Sequence, residues 1–344
     1  MAVDSAHILN LIWFMLLGVL LTGYGVLDGF DLGVGILHLI ANSDEERRLI
    51  LNSIGPLWDG NEVWLVTFTG ALFASFPDVY ATALSSFYLA IMLILVGLIM
   101  RAVSIEFRSK IKIPFWFRFW DISFFASSTM VAFLFGFLIG HLFLGLPIGQ
   151  DFELQRQSWN FLHPYPILTG ILSVATCAMH GSIFLYLKTE GALQKKIYNW
   201  IWHTYGTFVV LYIFTTIFTL TQIPTATANL TRYPWLWSVV LFNVLAIGNI
   251  PRTIFMKKPG QAFASSMATL TALAMLFGIA IFPNLIVSSI NPAYSLTVFN
   301  TAASQATLKT MFIIAVIGLP FVFSYTAVTY WVFHGKVKLG KFSY

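Results

Sequence analysis

The chain has 344 residues, 58% of them apolar and only 10% charged, against about 25% charged in an average soluble domain. That balance excludes a water-soluble globular enzyme and an intrinsically disordered chain, and it places the protein in a bilayer. The net charge of +5 comes from basic loops between apolar tracts, so it points to membrane topology and not to a nucleic-acid partner.

A hydrocarbon core of about 30 Å needs about 20 helical residues at about 1.5 Å each. Uncharged tracts of that size recur at residues 5–27, 79–100, 122–150, 157–187, 197–231, 233–251, 259–308 and 310–335. The tract 259–308 reads as one span followed by an outer loop. Residues 63–77 are also apolar but reach only about 22 Å as a helix. To cross, this segment must borrow from residues 52–62, which draws Asp59 and Glu62 toward the hydrocarbon. The runs are continuously apolar and do not alternate, which excludes a transmembrane barrel.

The expected fold is therefore an all-α polytopic membrane protein with nine transmembrane helices. They form one integral-membrane domain over 1–344, with helices 1–4 at 5–145 and helices 5–8 at 164–283 as two four-helix bundles, and helix 9 at 308–334 packed outside. With the N-terminus outside and the C-terminus cytoplasmic, cytoplasmic connections hold Arg47, Arg48, Arg101, Arg108, Lys110, Lys112, Arg118, Lys188, Lys195, Lys196, Arg252, Lys257 and Lys258. The tail adds Lys336, Lys338 and Lys341, so that only Arg156, Arg232 and Lys309 among the 19 basic residues lie outside, as the positive-inside rule requires. The first tract lacks a basic leader and a small-residue cleavage site, so it reads as a retained helix. The single cysteine, Cys177, allows no internal disulfide and reads as a packing residue.

Helix 1 carries Gly25, Gly29 and Gly33 at spacing four, a stripe that lets a neighbouring helix approach closely. Asp28 and Asp31 lie on a different side of the same helix and require their own partner surface. A carboxylate at the bilayer centre costs roughly 2.5–3.5 kcal/mol on insertion scales, compensated by pairing, protonation or hydration. Helix 2 adds Asp59 and Glu62 at similar depth, and Arg101, at the end of helix 3, is the natural countercharge. Such a cluster is suited to passing protons from the cytoplasm, and equally to clamping helices together. His180 and His203 raise the question of a bis-histidine haem, but interfacial hydrogen bonding is the plainer role for both. The basic, aromatic connection from Arg101 to Asp121, with Phe115, Trp116, Phe117, Phe119 and Trp120, reads as an interfacial belt.

Three runs resemble subunit II of the cytochrome bd-type quinol oxidases: Leu27-Asp28-Gly29-Phe30-Asp31-Leu32-Gly33-Val34-Gly35, then Trp58-Asp59-Gly60-Asn61-Glu62-Val63-Trp64, then Arg101 to Lys110. The stretch Ser304-Gln305-Ala306-Thr307-Leu308 before the last helix agrees with them. The resemblance implies a terminal oxidase of the bacterial inner membrane that oxidises membrane quinol and reduces oxygen to water. It implies two b-type haems and one d-type haem, all in the partner subunit I, with no haem or metal bound by this chain alone. It leaves room for a structural quinone or lipid and for a small single-helix accessory subunit. It implies further that Asp28, Asp31, Asp59, Arg101, Glu106 and Lys110, with Glu62 beside them, form a cytoplasmic proton route. Glu106 stands where some members carry aspartate, and the connection from Gln222 to Pro234 is shorter than in the longest members. The rival class is a proton- or cation-coupled secondary transporter, with the same acids binding the coupling ion beside a glycine-weakened helix.

Overall fold

The computed structural model describes residues 7–340; Ser5 and Lys341, assigned above to the first span and the tail, lie outside the described residues. Twelve α-helices follow one another: α1 (Ile8–Leu37), α2 (Asp44–Ile54), α3 (Trp58–Ser75), α4 (Pro77–Ser86), α5 (Tyr88–Phe107), α6 (Pro114–Leu144), α7 (Pro164–Lys188), α8 (Gly191–Gln222), α9 (Ala228–Arg232), α10 (Trp237–Phe255), α11 (Pro259–Ile281) and α12 (Gln305–Val332). Strands β1 (Asn284–Ile286) and β2 (Leu296–Thr297) make a small antiparallel pair between α11 and α12. Among the described residues, eight helical segments are long and apolar enough to cross a membrane. The short second tract, α3, is not one of these eight.

Two boundaries differ from the sequence reading. Residues 52–57 are not part of the second tract, because a turn at residues 55–57 separates α2 from α3. α3 therefore borrows only Trp58 to Glu62 and reaches about 27 Å. The tract at 79–100 is broken at Phe87 into α4 and α5, and α5 continues to Phe107. Arg101 consequently lies inside a helix and not at its end, Glu106 belongs to that helix's last turn, and the connection to α6 shrinks to residues 108–113. Asp121 falls two turns inside α6.

α1 is the axle of the bundle. It packs against α3 and α6 on one side and α7 and α11 on the other, with α12 touching α1 and α3. Its apolar side closes on α7 through Phe30, which stacks on Phe184 with ring centroids 4.0 Å apart. The closest approach is at Gly33. A Cβ there would overlap the Cys177 carbonyl oxygen and lie 2.9 Å from the Gly181 Cα, so α1 and α7 cross backbone to backbone. The stripe expected from sequence is thus uneven. A Cβ at Gly29 would make ordinary contact with Leu270 at 3.4 Å, whereas one at Gly25 would meet nothing within 4 Å. Gly25 therefore takes no part in a close backbone approach among the described residues.

Loop chemistry closes both ends. At the end rich in basic residues, Ser43 caps α2 by accepting from the Glu46 N–H at 3.2 Å, and Glu46 reaches back to the Asn42 N–H at 2.7 Å, a variant of the capping box. Partial burial raises the Glu46 carboxyl, but the Asn42 N–H and Lys196, 3.0 Å away, outweigh it and hold the group below its usual range. Deeper in, Asp121 is buried and accepts from Arg108 Nε at 2.6 Å and Arg47 Nη1 at 2.8 Å, with His38 Nε2 at 2.6 Å. Arg108 also pairs with Asp44 at 2.8 Å. One carboxylate therefore ties the end of α1, α2, α5 and α6 together. At the same end Lys188 donates to the Phe333 and Gly335 carbonyls, while Lys336 donates to those of Leu187 and Thr189. Each lysine caps the C-terminus of the other's helix, a favourable position for a cation.

At the opposite end, Trp13 Nε1 donates to Leu308 O (3.0 Å), Asn10 Nδ2 to Val298 O (3.1 Å) and Gln305 Nε2 to Asn10 Oδ1 (2.9 Å). The start of α12 is thereby fixed to the start of α1. The Leu146 N–H donates to Val287 O, and the Ser289 N–H donates to Leu146 O, both at 2.8 Å, which docks the β1–β2 loop on the end of α6.

Two outcomes are expected in the purified, assembled complex. Gly33→Ala forces two backbones apart and should cost at least about 1–3 kcal/mol as overpacking, lowering the midpoint of thermal inactivation, whereas Gly25→Ala should leave it in place; equal losses would show that the α1–α7 crossing is not the reason. Asp121→Asn takes from Arg47 its carboxylate and leaves buried Arg108 with the exposed Asp44 alone, and should cost about 1–3 kcal/mol. A thermal midpoint unchanged in Asp121→Asn would rule out the carboxylate as the tie.

Candidate functional site

The acids of α1 are buried inside the chain's own bundle. Asp28 and Asp31 are both fully buried. Their partner surface is α5 and α3. Arg101, itself fully buried, sets Nη1 2.7 Å from Asp28 Oδ1 and Nη2 2.9 Å from Glu62 Oε2. Glu62 is partly exposed, so the pair of ion pairs leads from the interior of the bundle to its surface.

Asp31 is served differently. Asn61 Nδ2 donates to Asp31 Oδ2 at 2.7 Å and lies 3.2 Å from the Leu27 carbonyl oxygen, and the Tyr330 hydroxyl donates to Asn61 Oδ1 at 2.9 Å. Asp31 Oδ1 is buried without a hydrogen-bond partner, and the buried Tyr24 hydroxyl lies beside Asp28. Asp28, Asp31 and Arg101 together hold one more carboxylate than guanidinium in a place without solvent. An additional proton would neutralise that excess, and Asp31 keeps one oxygen available to receive it.

The sequence-selected residues divide into three groups. Asp28, Asp31, Glu62 and Arg101 are brought together. Asp59 stands exposed in the first turn of α3, one helical turn from Glu62. It is not the partner of Arg101, whose guanidinium is taken by Asp28 and Glu62, so the pairing anticipated for Asp59 is corrected. Glu106 is half-buried in the last turn of α5, and Lys110 is exposed just beyond it. Asn61 and Tyr330 were missed. Asn61 sits within the Trp58–Trp64 run, where its amide drew less notice than the flanking acids, and Tyr330 carries no local signal. The Asp121 hub was missed as well, because Arg47 and Arg108 read as topological charges and Asp121 as the end of a loop.

The histidines do not pair. His180 is buried with Nδ1 2.8 Å from Ser266 Oγ and Nε2 2.9 Å from the Val26 carbonyl oxygen, its ring stacked on Phe263. His203 is exposed on α8 and bonds the Asn199 carbonyl. His141 has Nε2 3.0 Å from Phe161 O and receives Trp159 Nε1 at 3.4 Å. With their ring nitrogens so engaged, His180 and His141 do not fit as axial haem ligands. Among the described residues no group of three His, Cys, Asp or Glu side chains is arranged to hold a metal ion.

The sequence matches relatives along almost its whole length. It is 36% identical over 330 residues to cytochrome bd ubiquinol oxidase subunit 2 of Bacillus subtilis (strain 168), covering 95% of this chain and 96% of that protein. It is 35% identical over 362 residues to cytochrome bd-I ubiquinol oxidase subunit 2 of Escherichia coli (strain K12), covering 96% of each. The fold superposes on a chain of the bd oxidase from Geobacillus thermodenitrificans with a TM-score of 0.79 at 15% identity, over 94% of this chain and 98% of that one. At that identity the likeness speaks for the fold alone. The profile of the cytochrome bd terminal oxidase subunit II family matches residues 9–333. The chain therefore belongs to the cytochrome bd terminal oxidase subunit II family, as a multi-pass inner-membrane component of a quinol oxidase.

Proposed function

We propose that this chain supports quinol oxidation and the four-electron reduction of oxygen to water in a haem-bearing subunit I, by supplying a cytoplasmic route for proton uptake. The observation that carries the reading is the buried set Asp28, Asp31 and Arg101, which is joined to the surface through Glu62. A carboxylate kept in hydrocarbon at a cost of roughly 2.5–3.5 kcal/mol is retained for pairing or for function, and here one acid exceeds what pairing with Arg101 requires. In this reading protons enter at Asp59 and at the Glu106 and Lys110 end of α5, pass Glu62 and reach Asp28 and Asp31. The haems supply the redox chemistry from the partner subunit, and the residues here do no more than hold and move protons. With α3 counted as a ninth span and the basic loops assigned to the cytoplasm, the acid-bearing ends of α1 and α3 face the cytoplasm in this reading. An ion-coupled transporter would use the same acids, and no separate observation favours it.

Asp59 offers the cleanest test, since it is exposed and stands in no ion pair among the described residues. Asp59→Asn in the assembled oxidase should keep its haem content and lose about tenfold or more of its quinol-driven oxygen consumption, with Asp59→Glu retaining part. Full turnover in a fully assembled Asp59→Asn complex would remove Asp59 from the route. Asp28→Asn behaves differently: it leaves buried Arg101 with Glu62 alone, costs several kcal/mol and should deplete assembled complex as well as turnover per haem. Depletion with unchanged turnover per haem would make Asp28 a clamp and nothing more.

A further inference from the structure

The last helix reaches back to the acids of the first. Tyr330 on α12 and Asp31 on α1 are bridged by Asn61 on α3, and the geometry fixes which way the Asn61 amide points. Its nitrogen is 2.7 Å from Asp31 Oδ2 and 3.2 Å from Leu27 O. A backbone carbonyl can only accept, so the opposite orientation would set oxygen against oxygen at Leu27. Tyr330 completes the lock by donating to the amide oxygen at 2.9 Å. Asn61 is buried, away from bulk water. As a result Asp31 has Oδ2 held by an N–H donor and Oδ1 without a partner.

The rest of α12 does not explain this contact. Most of the helix is exposed, and its main helix contacts are with α1 and α3. Its side chains meet α3 around one place: Trp64 faces Phe323 with ring centroids 5.8 Å apart, and a Cβ at Gly60 would lie 3.5 Å from the Tyr325 ring. A hydroxyl directed from such a peripheral helix into the buried amide of its neighbour is more than packing requires, since phenylalanine would fill the same volume.

We infer that Tyr330 and Asn61 are positioning residues for Asp31: the Tyr330 hydroxyl orients the Asn61 amide, which holds one Asp31 oxygen and leaves the other as the proton-accepting atom. The inference rests on the proton-uptake reading above. It makes the seating of α12 a determinant of proton transfer at a carboxylate to which its hydroxyl is linked through Asn61. Without the hydroxyl, the amide oxygen loses its donor, Asn61 is held only through its nitrogen by Asp31 and Leu27, and its grip on Asp31 loosens.

The test compares Tyr330→Phe, Asp31→Asn and the double variant in the assembled oxidase, reading haem content, quinol-driven oxygen consumption per haem and its pH profile. Tyr330→Phe should assemble with full haem, lose about threefold to tenfold in turnover per haem and show a pH profile displaced from that of the unmodified complex. The double variant should be no worse than Asp31→Asn alone, because the hydroxyl acts only through Asp31. A Tyr330→Phe complex whose turnover per haem and pH profile match the unmodified one, beside an impaired Asp31→Asn, overturns this inference and leaves the proton reading intact. Loss of haem in Tyr330→Phe with turnover per haem unchanged overturns it too, since that is packing. An Asp31→Asn complex with full turnover overturns both the inference and the place of Asp31 in the route.

Discussion

The constraint on which this structure depends is the burial of Arg101 with Asp28. A lone guanidinium in a hydrocarbon environment is prohibitively costly, and a lone carboxylate nearly so, yet both are fully enclosed here, 2.7 Å apart. Neither helix can be moved without exposing an unpaired charge, so α1 and α5 are fixed in depth relative to each other. Glu62, as the second partner of Arg101, fixes α3 in the same way. The register of three helices thus follows from one side chain with two acids. The price of breaking such an arrangement, about 3–5 kcal/mol, is comparable to a large part of the stability of a whole domain.

Around that centre the polar contacts are distributed by depth. Asp121 binds the α1–α2 and α5–α6 connections at the basic end, and Asn10, Trp13 and Gln305 bind α1 to α12 at the other. Between them the crossing of α1 and α7 is apolar and close, through Gly33 and Gly181. The acids of α1 face α3 and α5 while Gly33 faces α7, so packing and charge use different sides of one helix. Changes made for the charge chemistry on one side need not disturb the backbone contact on the other.

Much of this was legible in the sequence, for identifiable reasons. Span positions follow from apolar runs, and the acids of α1 and α3 are conspicuous because charge in such runs is rare. Gly33 was found as part of a spaced stripe, although Gly25 in the same stripe has room for a Cβ, and Gly181, the residue that meets Gly33, lies in a helix without a comparable run of glycines. The break at Phe87 was not legible, since α4 and α5 are both apolar and no proline or charge stands at the junction; Arg101 was consequently assigned to a helix end. The pairing of Arg101 with Asp28 in preference to Asp59 depends on helix rotation, which residue spacing on a single helix does not determine. Asn61–Tyr330 and Arg47–Asp121 join residues 269 and 74 positions apart, and pairings at that distance are a property of the assembled bundle.

The reach of the Tyr330 contact also bears on biosynthesis. Because 269 residues separate Tyr330 from Asn61, the first helices are made and inserted long before the last one emerges, since synthesis proceeds at about 5–20 residues per second. For that interval Asp31 and Asn61 lie beside a gap that α12 will later fill, and the lysine caps at Lys188 and Lys336 cannot close until the tail has left the ribosome. The charged centre is therefore completed at the end of translation, so a nascent chain that stops short of α12 carries its acids without the finished hydrogen-bond network around them.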